Sequence, residues 1–238
     1  MSIPVVILAG GLATRLRPLS TNVPKSLIPI YEKPFIFYQL ELLSKNKINK
    51  VHVCLGYLGE MVEEVINESV FAKKMKITFS YDGTKSLGTG GAIKNALNYL
   101  DDIFFVIYGD SYLNIDFIDV LDFFNKNSNI DEGLMTVYKN NSQYDTSNVV
   151  FADNKIIKYS KTDLSNKMNY IDYGLGIFRK SFFDNYDSIK QFDLSEIYEY
   201  LSKKSKLIAY ESSSRFYEIG SFDGLKDFKN LINKNYDI

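Results

Sequence analysis

Short apolar runs of β type alternate with stretches of helical periodicity through the first half of the chain. The run VVILA (5–9) is apolar on both faces, which is typical of a strand buried between two layers. The stretch PFIFYQLELLSKNK (34–47) starts at a proline and repeats apolar residues at helical spacing, which predicts a helix. Such alternation favours right-handed βαβ units and a mainly parallel sheet between helices. We expect further strands at KVHVCLGY, KITFSY and IFFVIYGD, and further helices at GEMVEEVINES, GTGGAIKNALNYL and DFIDVLDFFNKN.

The second half of the chain changes to strand-like segments joined by Asn, Asp and Ser turns, where antiparallel pairing is favoured. The segment VVFADNKIIKYS predicts a hairpin that turns at Asp153-Asn154. A helix at about 194–203, a strand at KLIAYES and a helix at about 222–234 follow. Since no linker, repeat or low-complexity tract interrupts the chain, we expect one α/β domain over 1–238 with a mixed, mainly parallel sheet flanked by helices and a small antiparallel element in the second half. The other two strands expected there are GLMTVYKN and YIDYGLGIFRK.

Composition narrows the kinds of partner that this chain can bind. The 238 residues are 45% hydrophobic and carry a net charge of −1, so there is no global basic field for nucleic acid or an anionic membrane. No apolar run approaches the roughly 20 residues of a membrane helix, and no signal peptide precedes the first strand, so we expect a cytoplasmic protein. The single cysteine and single histidine, Cys54 and His52, exclude a disulfide framework and a multi-cysteine zinc site, and both are predicted to be structural.

The loop after the first strand, LAGGLATRLRPLSTNVPK (8–25), concentrates glycine, proline and positive charge. Gly10 and Gly11 let backbone N–H groups approach an anion, and Arg15 and Lys25 come before the first acidic residue. The loop is neither a P-loop, since Gly-Lys-Ser/Thr is missing, nor a dinucleotide fingerprint, since the third glycine is missing. It predicts a local polyphosphate site, with an ordinary loop of solvated cations as the alternative. We interpret the remaining cation, Arg17, as structural.

Two carboxylates stand where a metal ion could bind. Asp110 ends the apolar strand IFFVIYGD, at the strand end where ligands gather in α/β sheets, and a lone carboxylate there suits Mg²⁺. A helix N-cap or turn aspartate is the alternative. Glu218 lies among aromatic and apolar neighbours in SRFYEIGSFDG and needs a partner if it is buried. A metal shared with Asp110 would supply that partner, and a salt bridge to Arg215 or a lysine is the alternative.

Two weaker signals are a lysine that follows a later strand and a glycine-rich segment at the start of a helix. Lys161 follows the strand KIIKYS and could meet a second anionic substrate, although it is one of 28 Lys and Arg residues. The three glycines of LGTGGA (87–92) at a helix start permit close backbone approach to a base or sugar, or serve only as turn residues.

Taken together, these motifs resemble the sugar-phosphate nucleotidyltransferase (NDP-sugar pyrophosphorylase) family. That family shows L-A-G-G-x-x-T-R-L-x-P-L-T followed by P-K-x-L-x-P, which LAGGLATRLRPLSTNVPKSLIPI (8–30) matches nearly throughout. Lys161, which follows the middle hairpin, corresponds to a lysine that the family has at this point in the order of its motifs. The resemblance spans about residues 3–230. Its motifs are most similar to those of mannose- and heptose-1-phosphate guanylyltransferases. The other motifs in the same order are LGTGGAI (87–93), YGDSYL (108–113), Y-x-D-x-G-x-x-I-F (170–178) and FYEIGS (216–221).

The resemblance implies a Rossmann-like fold and a Mg²⁺-dependent transfer of NMP from an NTP to a sugar 1-phosphate, which yields an NDP-sugar and pyrophosphate for surface-glycan synthesis. It assigns residues 1–125 to NTP binding and residues 126–238 to acceptor binding. We therefore expect an NTP and a phosphorylated small molecule as substrates. As the composition indicates, no nucleic acid or membrane partner is expected, and a homodimer is left open. The residues implied are Arg15 and Lys25 for catalysis, Asp110 and Glu218 for the metal, Leu8, Ala9, Gly10, Gly11, Asp82, Gly88 and Thr89 for the nucleotide, and Tyr108, Gly109, Lys161, Asp172 and Gly174 for the acceptor.

Two positions depart from the family pattern. Glu218 stands where the second metal ligand is usually Asp, and Asp172 stands where the acceptor pocket usually has Asn. The second change removes two donors and adds a charge, so Asp172 would accept from hydroxyl groups or attract a cationic group. The motifs favour GTP with a heptose or mannose 1-phosphate. The alternatives are CTP or UTP with a non-sugar phosphate acceptor, or a catalytically silent nucleotide-sugar-binding regulatory protein.

Overall fold

The computed structural model describes residues 3–11, 14–16, 21–129, 132–184 and 191–236. Arg17, interpreted above as structural, lies outside the described residues. The strands are β1 Val5–Leu8, β2 Pro29–Ile30, β3 Lys33–Pro34, β4 Lys50–Leu55, β5 Lys76–Tyr81, β6 Ile103–Tyr108, β7 Ser111–Leu113, β8 Gly133–Lys139, β9 Val149–Ala152, β10 Lys155–Tyr159, β11 Tyr170–Arg179, β12 Leu207–Ser212 and β13 Phe216–Glu218. The α-helices are α1 Phe35–Lys45, α2 Gly59–Asn67, α3 Val70–Lys74, α4 Gly88–Ala96, α5 Phe117–Asn127, α6 Leu194–Lys203 and α7 Phe222–Tyr236.

Among the described residues, nine strands form one mixed sheet in the order β5-β4-β1-β6-β11-β8-β12-β10-β9. The four strands from the first half, β5, β4, β1 and β6, are parallel, as the alternating pattern predicts. β11 is antiparallel to both of its main neighbours, β6 and β8, and so joins the second half of the chain to the first. Two small antiparallel sheets, β2-β3 and β7-β13, accompany the large one. The predicted fold class is confirmed.

Both faces of the sheet are covered at β1, which is apolar and buried at every position. Val5 and Ile7 pack into one core with residues of α1, α2 and α5. Val6 and Leu8 point the other way and pack with residues of α4 and α6. A third apolar cluster joins α7 to the start of α1, where the rings of Phe35 and Phe228 meet edge to face at 5.2 Å.

Three smaller predictions are also confirmed. The antiparallel β9–β10 hairpin turns at Asp153 and Asn154, whose φ angles of 50° and 57° suit the two-residue turn that follows the twist of the strands. Cys54 is buried, and burial raises the pKa of its thiol to about 12, which makes it inert. His52 is buried too, and its ring nitrogens lie 2.8 and 2.9 Å from the hydroxyl oxygens of Thr78 and Ser80. In the described part of the chain, no helix is long and apolar enough to cross a membrane.

Candidate active site

The carboxyl ends of the parallel strands meet at one edge of the sheet, as expected for a ligand site in an α/β fold. There the chain leaving β1 is bound to its neighbours, because Ala9 N–H donates to the Cys54 carbonyl at 2.9 Å and Gly109 N–H donates to the Leu8 carbonyl at 2.9 Å. A Cβ atom on Gly109 would lie 2.7 Å from the Leu8 oxygen, so only glycine lets the end of β6 lie so close to β1. Gly109, predicted for the acceptor, thus contacts β1.

A cavity of about 290 Å³ opens at this edge. Its lining includes all seven residues predicted for nucleotide binding, together with Lys25, Tyr108, Gly109 and Asp110. Asp82 stands at the end of β5, where burial raises the pKa of its carboxyl and the Leu87 N–H donates to it at 3.2 Å. The lining residues that sequence reasoning missed are Ser26, Cys54, Ser86, Ala92, Gln191 and Asp193.

The glycines at the start of α4 are packed against the protein itself. Gly90 N–H and Gly91 N–H both donate to the Phe192 carbonyl, at 3.0 and 3.2 Å. A Cβ atom on Gly90 would lie 2.3 Å from the Phe192 ring. Thr89 is held too, since its N–H and its hydroxyl lie 3.4 and 3.3 Å from Asp193 Oδ1. The glycine run therefore serves close packing of the segment before α6, although Gly88 and Thr89 also line the cavity.

Lys25 is placed at the cavity by a single 3₁₀ turn, Lys25–Leu27, that begins after Pro24. Its Nζ lies 2.8 Å from Asp110 Oδ2, and both side chains are partly buried. From the sequence, the alternative to a metal ligand at Asp110 was a helix N-cap or a turn aspartate. In the structure Asp110 occupies the tight turn between β6 and β7 and forms a charged pair with a cation 85 residues earlier.

Glu218 reaches the same place through the small β7–β13 sheet. It pairs in register with Ser111, and the next N–H, that of Ile219, donates to the Asp110 carbonyl at 2.9 Å. Burial and repulsion from Asp110 and Asp145 raise the pKa of Glu218 to about 7, while Lys25 and Arg15 oppose that rise. The salt bridge to Arg215 considered from the sequence is absent among the described residues, since Arg215 pairs with Asp227.

A second cavity, of about 230 Å³, adjoins the first. Tyr108 and Asp110 line both cavities, so the two meet at the end of β6. Four further predicted residues, Lys161, Asp172, Gly174 and Glu218, line the second cavity. The lining residues without a sequence signal are Ser111, Asp145, Asn148, Ile171, Tyr173 and Phe216.

Asp172 is turned into the second cavity by an irregularity in β11. The register with β8 shifts between Asp172 and Gly176, and Gly174 adopts a φ of +100°, which favours glycine. Gly174 N–H donates to Asp172 Oδ1 at 3.0 Å. Burial raises the pKa of Asp172 to about 6, and the nearby Lys161 ammonium opposes that rise.

The two remaining predicted cations differ in position. Lys161 is exposed at the second cavity, with its Nζ 5.8 Å from the centre of the Tyr108 ring. Arg15 is exposed and borders neither cavity as described, although it lies near enough to Glu218 to oppose the rise in the pKa of that carboxyl. The structure thus brings together every predicted site residue except Arg15, which stands at the margin.

Known proteins are similar to this chain over most of its length. Residues 4–235 match the family model described as nucleotidyl transferase. The chain is 27% identical to D-glycero-alpha-D-manno-heptose 1-phosphate guanylyltransferase of Campylobacter jejuni, covering 90% of this chain and 93% of that protein. It is 30% identical to a putative mannose-1-phosphate guanyltransferase of Sulfolobus acidocaldarius, of which it spans about half (51%) while 79% of this chain is covered.

Solved structures confirm the Rossmann-like α/β fold. The crystal structure of HddC from Yersinia pseudotuberculosis superposes with a TM-score of 0.80 at 26% identity, over 97% of this chain and 99% of that one. A UDP-glucose pyrophosphorylase complexed with UDP-glucose superposes with a TM-score of 0.78 at 16% identity, over 99% of this chain and 100% of that one. The predicted family resemblance is confirmed, and the chain belongs to the nucleotidyl transferase family.

Proposed function

We propose that this chain transfers NMP from an NTP to a sugar 1-phosphate and releases pyrophosphate. The observation that carries the proposal is the meeting of two cavities at Tyr108 and Asp110. One cavity offers backbone groups and Lys25 to a triphosphate, and the other offers Lys161 to a phosphorylated acceptor. Two substrates bound in this way would meet at the end of β6, which is the requirement for transfer between them.

In the proposed reaction, an oxygen of the acceptor phosphate attacks the α-phosphorus of the NTP. A new P–O bond forms, the bond from the α-phosphorus to the bridging oxygen breaks, and its electron pair leaves on pyrophosphate. Lys25 stands where the cavities meet and would neutralise charge on the α-phosphate, while Arg15 would approach the triphosphate from the loop. These side chains would orient the substrates and neutralise charge on the phosphates, as is usual for phosphoryl-group transfer.

Asp110 and Glu218 fit a Mg²⁺ ion. Both carboxylates line the second cavity, and repulsion from Asp110 helps to raise the pKa of Glu218. A cation bound between them would remove that repulsion. Within the described ranges, no group of three or more His, Cys, Asp or Glu is arranged to hold a metal, and two carboxylates are what Mg²⁺ takes when substrate phosphates complete its shell. A bound Mg²⁺ would supply positive charge to the phosphate oxygens of the substrates. The longer Glu218 side chain reaches this place because β13 is fixed to β7.

The substrate pair we propose is GTP with a heptose or mannose 1-phosphate, because the curated relatives named above are guanylyltransferases for these sugars. Asp82 would lie at the base end of the first cavity, since β5 and β6 stand three strand spacings apart, roughly 14 Å, at the sheet edge. The division into an NTP-binding half (1–125) and an acceptor-binding half (126–238) remains our proposal, and Gln191 and Asp193 cross it by lining the first cavity.

A second candidate keeps the chemistry but changes the acceptor. The carboxylates of Asp172 and Asp145 both line the second cavity, and together they would attract an amino group on a non-sugar phosphate. An acceptor of this kind would be used in preference to sugar phosphates without an amino group if the carboxylates select for positive charge.

The test is a panel assay of pyrophosphate release. Each of the four common NTPs is incubated with the protein, Mg²⁺ and a phosphorylated acceptor, drawn from sugar 1-phosphates and amino-bearing phosphates. We expect the largest rate with GTP and a heptose or mannose 1-phosphate. NTP binding without turnover on any acceptor would contradict the proposal and favour a silent regulatory protein. The matched control is Lys33→Ala, which removes a lysine paired with Glu41 away from both cavities and should leave turnover unchanged.

A further inference from the structure

The loop that carries Lys161 is organised around one buried hydroxyl group. The Ser160 hydroxyl donates to Glu199 Oε1 at 3.1 Å and accepts from the N–H groups of Thr162 and Asp163 at 3.3 and 3.0 Å. A serine hydroxyl has one proton and two lone pairs, so this group uses its full hydrogen-bonding capacity. The two accepted bonds close the chain around Lys161, and the donated bond fixes that closed turn to α6.

The same turn is fixed from the side of the sheet. Ser160 N–H donates to the Asn148 carbonyl at 3.1 Å, and Asn148 also lines the second cavity. The position of the Lys161 Cα atom is therefore set by bonds on both sides of it. Its flexible side chain then reaches the cavity from a fixed origin, which reduces the conformational entropy lost when the ammonium binds an anion.

Glu199 is a firm anchor because α6 is held along its length. At its first turn, the Asp193 and Glu196 side chains form a capping box, and Leu194 N–H donates to the Thr89 hydroxyl at 2.8 Å. Further along, the Tyr198 ring packs on the Tyr159 ring at 5.5 Å. Glu199 lies six residues after the helix cap, about 9 Å along the axis, so α6 spans the distance from the first cavity to the loop of the second.

We propose that Ser160 and Glu199 are positioning residues that hold Lys161 at the second cavity and thereby set the affinity for the phosphorylated acceptor without contacting it. The part played by Lys161 in acceptor binding rests on the proposed function, whereas the fixing of Lys161 by this pair rests on the hydrogen bonds alone. Loss of such a bond network weakens the interaction that depends on it by about tenfold.

The first experiment measures the KM for acceptor and for NTP separately in four single variants and one double variant. Ser160→Ala and Glu199→Ala should each raise the acceptor KM about tenfold and leave the NTP KM within about twofold. Glu199→Gln keeps an acceptor oxygen for the serine proton and should stay near wild type. Ser165→Ala makes the same chemical change at an exposed position of the same loop and serves as the matched control. The double variant Ser160→Ala/Glu199→Ala should be no worse than either single one, because the two residues act as a unit.

The second experiment measures backbone amide hydrogen exchange and does not depend on turnover. Ser160→Ala should speed exchange at Thr162 and Asp163, while Ser165→Ala should not. Unchanged exchange there, or an unchanged acceptor KM, overturns the inference. A parallel rise of both KM values with a lower melting temperature also overturns it, since that result describes a merely structural bond. A wild-type protein without transfer activity refutes the proposed function. In that case the exchange measurement alone tests whether Ser160 fixes the loop that carries Lys161.

Discussion

Replacement of Asp172 by Asn should make the protein more stable and make it a poorer enzyme. The Asp172 carboxyl lies at an irregularity in β11, two residues before Gly174, whose positive φ favours glycine. Burial raises the pKa of this carboxyl to about 6. The folded chain therefore disfavours the ionised form that Asp172 takes above that pH. Asn has the same shape and cannot ionise, and its side-chain oxygen can still accept from Gly174 N–H, which now lies 3.0 Å from Asp172 Oδ1.

The magnitude follows from the two pKa values of the carboxyl. It titrates near 3.8 in the unfolded chain and near 6 in the folded one, so ionisation removes about 3 kcal/mol from the free energy of unfolding. Because the pKa of Asp172 is raised, the folded protein binds the proton more tightly than the unfolded chain does. The free energy of unfolding therefore falls as pH rises from about 4 to about 6 and stays low above that. At pH 8 the Asn variant should be more stable than wild type by up to about 3 kcal/mol, and near pH 4 the two should be alike.

The assay is urea unfolding of both proteins at a series of pH values between 4 and 8. The difference between the two curves isolates the change at residue 172, because all other titrating groups are common to both. A difference that does not grow with pH, or an Asn variant less stable than wild type at pH 8, would refute the reasoning. In parallel, the acceptor KM should rise if the carboxylate binds the acceptor, and an unchanged value would remove Asp172 from the acceptor site.

Three further predictions concern other parts of the chain. Lys25→Ala should lower kcat by roughly 100- to 1,000-fold with folding intact, measured by pyrophosphate release, since it removes a charge aimed at the proposed reaction centre. Gly90→Ala should lower the free energy of unfolding by about 1–3 kcal/mol, measured by thermal unfolding, because its Cβ would meet the Phe192 ring. Gly11→Ala should leave this free energy unchanged, because a Cβ there would have no atom within 4 Å. Burial lowers the pKa of His52 from 6.5 to about 4, so the unfolded chain takes up the proton first as pH falls through that window. Wild type should thus lose roughly 3 kcal/mol more than His52→Gln between pH 7 and pH 4 in denaturant titrations, and parallel curves would contradict this.

Most of the fold was predictable because most of its elements carry a local pattern. The strands β1, β4 and β6 are mainly apolar runs, β5 alternates polar and apolar residues, and α1 and α6 repeat apolar residues at helical spacing. Each of these elements could therefore be located without knowledge of its neighbours. The strands β7 and β13 are three residues long and carry no period. They exist because they pair with each other across a hundred residues of sequence, and that pairing, which brings Glu218 beside Asp110, has no local signal.

The candidate site shows the same division between local and distant information. A shared metal was considered for Asp110 and Glu218 from the sequence alone, and Lys25 was joined to them through the order of family motifs. The contacts of these three residues depend on three separate elements. Asp193, which the sequence analysis did not single out, caps the start of α6 and also lines the first cavity. Nothing around it indicates that the cap of α6 lies against the start of α4, since that contact depends on how two helices pack on the same face of the sheet.

This contact also decides where a phosphate could bind. A glycine-rich helix start usually suggests free N–H groups for an anion. In this chain the N–H groups of Thr89, Gly90 and Gly91 are taken up by the Asp193 carboxylate and the Phe192 carbonyl. Gly10, Gly11 and Lys25, on the loop after β1, also line the first cavity, and we propose them as donors for a phosphate. In our proposal the start of α4 therefore borders the base or ribose, and the triphosphate lies beside Asp110, near the acceptor.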